Sequence, residues 1–229
     1  EITANGPLSA LPQMENELAW MLLTNAGLER AGSRGDFQKR MRKVTNKAYA
    51  LFIQSLGAPN KTDQIQMLKK AVELHHDFPK AQFLLGQLYY SRKDCDSALR
   101  HLALGFIEGR PDPDGDFMRG TCSLSKGQAE QAITLLSRAL IHARSYEALN
   151  NLGIAFLRQG NRQAALNALL EANSVSHGES AAALNLAIAY IVNGNDSAAR
   201  TIVEESLKLH PKSGMLHFIH GSLLGKQGE

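Results

Sequence analysis

The sequence repeats itself every 33 or 34 residues. Small residues recur at this interval inside helix-like stretches, at Gly86, Gly120, Gly153, Ala187 and Gly221. Alanine follows each of the first four after 12 residues, at Ala98, Ala132, Ala165 and Ala199. A fixed period of this length predicts a stack of similar supersecondary units, because one such unit cannot bury its own apolar face.

A third set of residues divides each unit into two helices. These are the turn glycines Gly127, Gly160, Gly194 and Gly228, and glycine ends a helix readily because it adopts a left-handed backbone without strain. In residues 147–172, Ala165, Leu169 and Ala172 form one stripe on the second helix. We expect Gly153 and Ala165 to be small because the two antiparallel helices approach each other closely there.

The last turn glycine, Gly228, is followed only by Glu229. After Gly160 and Gly194 the chain continues into second helices. The sequence therefore ends between the two helices of a unit, and we expect the natural protein to continue.

The composition agrees with an all-helical protein. Proline is scarce, with 7 residues, and hydrophobic residues make up 44%, which is enough to build a core. Apolar runs such as residues 186–192 are far too short to cross a bilayer, so no membrane span is expected. The net charge of +3 is too small to indicate a polyanionic partner.

The sequence offers no motif for catalysis, for a cofactor or for a metal ion. Its glycines form neither a phosphate-binding loop nor a nucleophile elbow. His217 and His220 lie three residues apart, but a zinc site needs three or four converging ligands, so packing or surface roles are expected. Cys95 and Cys122 have no metal-ligand spacing. Two thiols are the favoured interpretation of this pair, and one disulfide is the alternative.

This pattern resembles the tetratricopeptide repeat, a 34-residue helix-turn-helix unit. The resemblance covers residues 79–229 and rests on Leu85-Gly86-Tyr89 with Ala98-Leu102, on Leu152-Gly153-Phe156 with Ala165-Leu169-Ala172, and on Leu186-Ala187-Tyr190 with Ala199, followed by Pro211. It implies an all-α fold, a right-handed superhelical solenoid of antiparallel helix pairs. We expect about five repeats, of which the last is incomplete.

Three segments depart from the pattern. Residues 36–78 are interpreted as a degenerate first repeat, and residues 1–35 as an N-terminal segment with one helix, either a cap or the remnant of another domain. Residues 109–116 are rich in helix breakers, and the repeat after them carries Arg119 and Ser123 where apolar residues are expected. We expect that hairpin to be the least regular one.

The resemblance also implies a partner-binding groove on the concave side of the solenoid, lined by first helices. By the family's pattern the groove contains Phe83, Leu84, Gln87, Tyr90, Phe117, Met118, Thr121, Asn150, Asn151, Ile154, Arg158, Leu184, Asn185, Ile188, Phe218, Ile219 and Ser222. Many of them are apolar, and large exposed apolar patches usually mark binding sites. Packing against the adjacent repeat is an alternative of equal weight. Asn151 and Asn185 occupy equivalent places, and their amides can donate to and accept from a peptide backbone.

We therefore expect a non-catalytic protein–protein interaction scaffold that binds an extended or helical segment of another protein. The alternative function is a regulatory or substrate-selecting arm of a larger multidomain protein or enzyme. Self-association through the open terminal helix is a further interpretation. The basic run at residues 39–47 could bind nucleic acid, but no aromatic residues are interleaved with it, so a solvated helix face is favoured.

Overall fold

The computed structural model describes residues 44–176 and 178–227, together with the isolated positions 14, 17, 20 and 21. From residue 44 onward the described chain consists of helices and their connections, without a β-strand, which confirms the all-α hairpin fold. The helices are α1 (Asn46–Leu56), α2 (Lys61–Leu74), α3 (Pro79–Ser91), α4 (Cys95–Gly105), α5 (Pro113–Ser125), α6 (Ala129–His142), α7 (Tyr146–Gln159), α8 (Arg162–Val175), α9 (Ser180–Val192), α10 (Asp196–Leu209) and α11 (Gly214–Gln227). The chain divides into two compact units, Glu1–Ile107 and Glu108–Glu229. Most of residues 1–35 and of the basic run 39–47 lie outside the described residues.

From residue 44 onward the first unit contains two hairpins, α1–α2 and α3–α4, and α2 also packs against α3. Phe52 occupies the place that a small residue takes in later repeats, and its ring lies 5.2 Å from the ring of Phe78. Phe78 in turn stacks on Tyr49, with the ring centroids 6.1 Å apart. Phe78 is buried and directly precedes α3. The aromatic cluster therefore joins the two hairpins of this unit.

A histidine lies partly buried between the two helices of the second hairpin. The Nδ1 atom of His101 in α4 lies 2.7 Å from Oε1 of Gln82 in α3. Gln82 is itself buried, and its Nε2 donates to the carbonyl oxygen of His76. The His101 ring also stacks on Tyr89, with the ring centroids 5.4 Å apart. Polar and aromatic contacts thus hold α4 against α3 on either side of one imidazole.

The environment of His101 predicts that the stability of the first unit depends on pH. Burial lowers the pKa of His101, the charges of Arg100 and Lys69 lower it further, and Asp94 raises it. The unfolded chain therefore takes up the proton first, near the ordinary value of 6.5. As the pH falls below that value, protonation favours unfolding until the lower pKa of the folded state is reached; above that value the contribution is constant.

Urea unfolding between about pH 8 and about pH 5 measures this dependence. We expect the free energy of unfolding to fall less between these two pH values in His101→Gln than in the wild type. His76→Gln is the matched control in the same unit, because the His76 side chain is exposed, and it should keep the wild-type loss. If His101→Gln lost as much stability at low pH as the wild type does, His101 would not be the cause of the pH dependence.

The second unit contains three hairpins, α5–α6, α7–α8 and α9–α10, followed by the single helix α11. Each second helix packs against the first helix of its own hairpin and against the first helix that follows. The first helices also contact one another in chain order, from α5 to α11. This unit therefore has one layer of first helices and one layer of second helices.

The repeating small residue of each first helix is paired with an aliphatic residue 16 positions later. The pairs are Gly86 with Leu102, Gly120 with Leu136, Gly153 with Leu169, and Ala187 with Val203. A Cβ atom added at any of the three glycines would lie within 2.7 Å of the leucine Cγ atom. Ala187 and Val203 are fully buried, and together they have as many side-chain carbon atoms as a glycine and a leucine. The residue that requires Gly153 to be small is thus Leu169, not Ala165.

The charged residue that interrupts the apolar pattern of α5 belongs to a buried ionic network. The guanidinium of Arg119 lies 2.7 Å from Oδ1 of Asp116, whose side chain is 5% exposed. Arg138 from α6 donates to both oxygens of Asp116, at 2.7 and 2.9 Å. Asp112 lies 3.6 Å from Arg119 on the other side. The hairpin keeps the same glycine–leucine contact as its neighbours, so the ionic network does not disturb the close approach of its two helices.

The turns between paired helices need a left-handed residue. Gly127, Gly160 and Gly194 have φ values of +78°, +86° and +76°, as the turn series predicts. The residue at the corresponding place in the first unit is Lys93, with a φ of +62°. A side chain disfavours this conformation, so this turn lacks the glycine that would adopt it without strain.

The favoured interpretation of the two cysteines is wrong. Neither Cys95 nor Cys122 is a free thiol in the structure. Cys122 is fully buried within α5, next to Ser123, which is also fully buried. Cys122 and Ser123 are therefore both part of the protein interior.

Candidate partner-binding surface

Polar side chains connect neighbouring first helices of the second unit. Nδ2 of Asn151 in α7 donates to Oγ1 of Thr121 in α5, at 3.1 Å. One repeat later, Nδ2 of Asn185 in α9 donates to Oδ1 of Asn150 in α7, at 2.9 Å. All four side chains are partly exposed. The structure therefore places these residues between adjacent first helices, where each amide is held in a fixed orientation.

The amides of Asn150 and Asn185 keep further hydrogen-bonding capacity. An asparagine side chain has one carbonyl oxygen and two N–H donors. Asn185 uses a donor and Asn150 uses its oxygen in their mutual bond. Within residues 44–227 as described, the oxygen of Asn185 and the nitrogen of Asn150 have no partner. A donor and an acceptor are thus present side by side on partly exposed residues.

Apolar side chains flank the two amides. Ile154 lies one helical turn after Asn150, and Ile188 lies one turn after Leu184. Ile154 packs against one core cluster of the second unit, and Leu184 and Ile188 pack against another. Each of the three is only partly buried. We call Thr121, Asn150, Asn151, Ile154, Leu184, Asn185 and Ile188 the first-helix surface.

Other residues expected in the groove have different surroundings. Met118 and Ile219 are only 6% and 8% exposed and belong to the core. Phe117 is partly buried against the same cluster as Ile154. Arg158 is exposed, and its guanidinium donates to the carbonyl oxygen of Leu124 in the last turn of α5. The structure thus gives Met118 an interior position and Arg158 a role in joining α7 to α5.

Two residues predicted in the groove, Phe83 and Phe218, lie on the side of a first helix that faces, or in a complete repeat would face, the second helix of its hairpin. Phe218 on α11 is 69% exposed. In the first unit, the equivalent residue is Phe83, whose backbone lies within 3 Å of a Cβ atom added at Gly105 of α4. Phe218 therefore occupies the side of α11 that corresponds to the second-helix side of α3.

The remaining predicted residues, which lie on α3 of the first unit, are partly exposed. They are Leu84, Gln87 and Tyr90, in addition to Phe83. Leu84 packs against the aromatic and aliphatic core of its unit. The structure thus leaves part of each of these side chains accessible.

The two histidines of α11 have separate partners. Nε2 of His217 lies 2.9 Å from the carbonyl oxygen of Pro211, and Nε2 of His220 lies 3.2 Å from a carboxylate oxygen of Glu204. In the described part of the chain, no three His, Cys, Asp or Glu residues are grouped so that they could hold a metal ion. No helix in that part has the length and apolar character needed to cross a bilayer.

Comparison with known proteins identifies the repeat. Residues 117–174 and 151–214 match the family model of the tetratricopeptide repeat. These overlapping matches cover the hairpins that carry the first-helix surface. No curated protein sequence matches the chain.

Several solved structures have the same fold. YrrB, a TPR protein with an unusual peptide-binding site, is 17% identical over 80% of this chain and 95% of its own, with a TM-score of 0.66. MamA from Desulfovibrio magneticus RS-1 is 16% identical over 75% of this chain and 99% of its own, with a TM-score of 0.65. TTC0263, a thermophilic TPR protein in Thermus thermophilus, is 18% identical over 77% and 97%, with a TM-score of 0.53. Residues 117–214 are tetratricopeptide repeats, and the other described hairpins have the helical fold of the same family.

Proposed function

We propose that the chain is a non-catalytic protein–protein interaction scaffold whose first-helix surface binds an extended segment of a partner protein. The tetratricopeptide repeat fold suggests an interaction scaffold in general terms. The observation that supports this particular surface is the pair Asn150–Asn185, which leaves the side-chain nitrogen of Asn150 and the side-chain oxygen of Asn185 unused beside partly exposed isoleucines.

The chemistry of the surface matches a polypeptide in extended conformation. A peptide backbone presents N–H and C=O groups that the oxygen of Asn185 and the nitrogen of Asn150 can bind. Each such hydrogen bond contributes about 0.5–1.5 kcal/mol to binding. Ile154 and Ile188 offer apolar contact to side chains of the same segment. Backbone contacts of this kind hold a peptide without depending strongly on its sequence.

Two further points support a peptide as the partner. YrrB, which has the same fold, has a peptide-binding site. The bond between Asn185 and Asn150 fixes both amides before a partner arrives, and such preorganisation reduces the entropy lost on binding. In the first unit, Leu84, Gln87 and Tyr90 are partly exposed on α3 and are proposed as contact residues of a surface that belongs to that unit alone. Phe83 is left out of it, because it lies on the side of α3 against which α4 packs.

A peptide-display selection against the full chain, followed by affinity measurements, tests this proposal. We expect the double variant Asn150→Ala/Asn185→Ala to bind the selected peptides about tenfold more weakly than the wild type, because two hydrogen bonds are lost. Circular dichroism should show unchanged helicity. The matched control is Gln163→Ala/Asn167→Ala, which removes two amides from the exposed side of α8. Equal affinities of the two double variants would contradict the assignment of this surface.

A further inference from the structure

Helix α11 is apolar on two sides, but only one side is covered. Leu216, Ile219 and Leu223 are buried in a cluster with residues of α9 and α10. On another side, Met215 is 57% exposed and Phe218 is 69% exposed. A helix that is apolar all round is normally buried all round, so this second side is suited to a partner.

The glycine on α11 lacks the neighbour that its counterparts have. Gly86, Gly120 and Gly153 each lie against a leucine of a second helix, so that an added Cβ atom would clash. Gly221 occupies the same place in the repeat. A Cβ atom added there meets no atom of the described chain within 4 Å. This side of α11 therefore has room for an aliphatic side chain next to Gly221.

Four of the five hairpins show what kind of helix packs against a first helix in this way. Their second helices share the pattern of a small residue, a leucine or valine four positions later and a second small residue three positions after that. The examples are Ala98-Leu102-Gly105, Ala132-Leu136-Ala139, Ala165-Leu169-Ala172 and Ala199-Val203-Ser206. In each of them the central aliphatic side chain is fully buried against the first helix.

We propose that the open side of α11, formed by Met215, Phe218 and Gly221, binds an amphipathic helix with this pattern. Its central leucine would sit on Gly221, and its small residues would allow the close approach seen in the hairpins. This site is separate from the first-helix surface and does not depend on the function proposed for it. It continues, one repeat further, an interface that the chain already forms four times.

A second folded copy of the chain is not suited to supply this helix. The second helices with the pattern are α4, α6, α8 and α10, and the leucine or valine of each is fully buried in its own hairpin. The first helices α7 and α9 also carry it, at Ala148-Leu152-Ala155 and Ala182-Leu186-Ala189, and there too the leucine is buried. A copy could offer one of them only by opening that hairpin. The occupant that fits is therefore an amphipathic helix that is not already packed in one of these hairpins.

A peptide with the sequence of residues 161–175 is a suitable probe, because it contains α8 and its N-cap Asn161. We expect the fluorescently labelled peptide to bind the full chain saturably in an anisotropy titration and to raise its melting temperature. A peptide with Leu169→Glu should bind at least tenfold more weakly. The chain variant Gly221→Leu should also lose at least tenfold in affinity while it remains folded, since the added side chain enters open space.

Two control variants test whether the peptide binds at this site and not elsewhere on the chain. Gln131→Leu adds the same side chain at an exposed position of α6 and should bind the peptide like the wild type, as should Asn150→Ala/Asn185→Ala. Absence of saturable binding, or equal binding by Gly221→Leu and the wild type, would overturn the proposal. It would also be overturned if the chain formed a dimer that Phe218→Lys dissociates and the peptide cannot displace, because α11 would then be a self-association surface.

Discussion

Asp116→Asn should lower the free energy of unfolding of the second unit by about 3 kcal/mol. The substitution keeps the size of the side chain but gives Arg119, which is 13% exposed, a neutral amide in place of the carboxylate that lies 2.7 Å away. It also weakens the paired hydrogen bonds from Arg138, which connect α6 to α5. We expect the lower end of the range for a broken buried ion pair, because Asp112 lies 3.6 Å from Arg119 and compensates in part. Urea unfolding followed by circular dichroism measures the change.

The appropriate control for this variant is Asp114→Asn. Asp114 lies in the same first turn of α5 and its side chain is exposed. Its loss should change stability by no more than about 0.5 kcal/mol. If both variants had the same small effect, the network around Asp116 would not stabilise the hairpin.

Gly153→Ala should lower the free energy of unfolding by about 2 kcal/mol, although alanine favours a helix more than glycine does. The added methyl group would lie 2.4 Å from Cγ of Leu169. The double variant Gly153→Ala/Leu169→Val recreates the natural pair Ala187–Val203 and should recover most of this loss. We therefore expect a coupling energy of about 2 kcal/mol in a double-mutant cycle of these positions.

The chain provides a matched control for the same substitution. Gly221→Ala places the same methyl group at the equivalent place of α11, where it meets no described atom within 4 Å. That variant should be neutral or stabilised by up to about 1 kcal/mol. Additive effects at positions 153 and 169 would show that the glycine–leucine contact does not limit the approach of the two helices.

The repeat period was sufficient to predict the helices, their pairing and the turns. Equivalent residues recur because each hairpin makes the same contacts, so the positions of Gly127, Gly160 and Gly194 are visible without a structure. The period did not reveal which residue opposes Gly153. That depends on how far one helix is displaced along the other, and both Ala165 and Leu169 lie on the apolar stripe.

The candidate site was harder to predict, because side chains on one helix face can bind either a neighbour or a partner. Asn151 was expected to face a ligand, and in the structure its side-chain nitrogen donates to Oγ1 of Thr121 in the preceding hairpin. Arg119 interrupts the apolar pattern, and its ionic partner Asp116 is shared with Arg138, which lies 22 residues from Asp116 along the chain. Such contacts depend on distances between helices, which the order of residues in one repeat does not specify.

The arrangement of the second helices also affects how the second unit responds to a bound partner. Since each of them packs mainly against the first helix before it and the first helix after it, most interactions between the described helices join segments that are close along the chain. Proteins with such low contact order fold rapidly, and their stability is a sum of nearest-neighbour terms. One end can then fray while the centre stays intact. A ligand that spans Asn150 and Asn185 adds a further link between two adjacent modules and thereby makes their unfolding more cooperative.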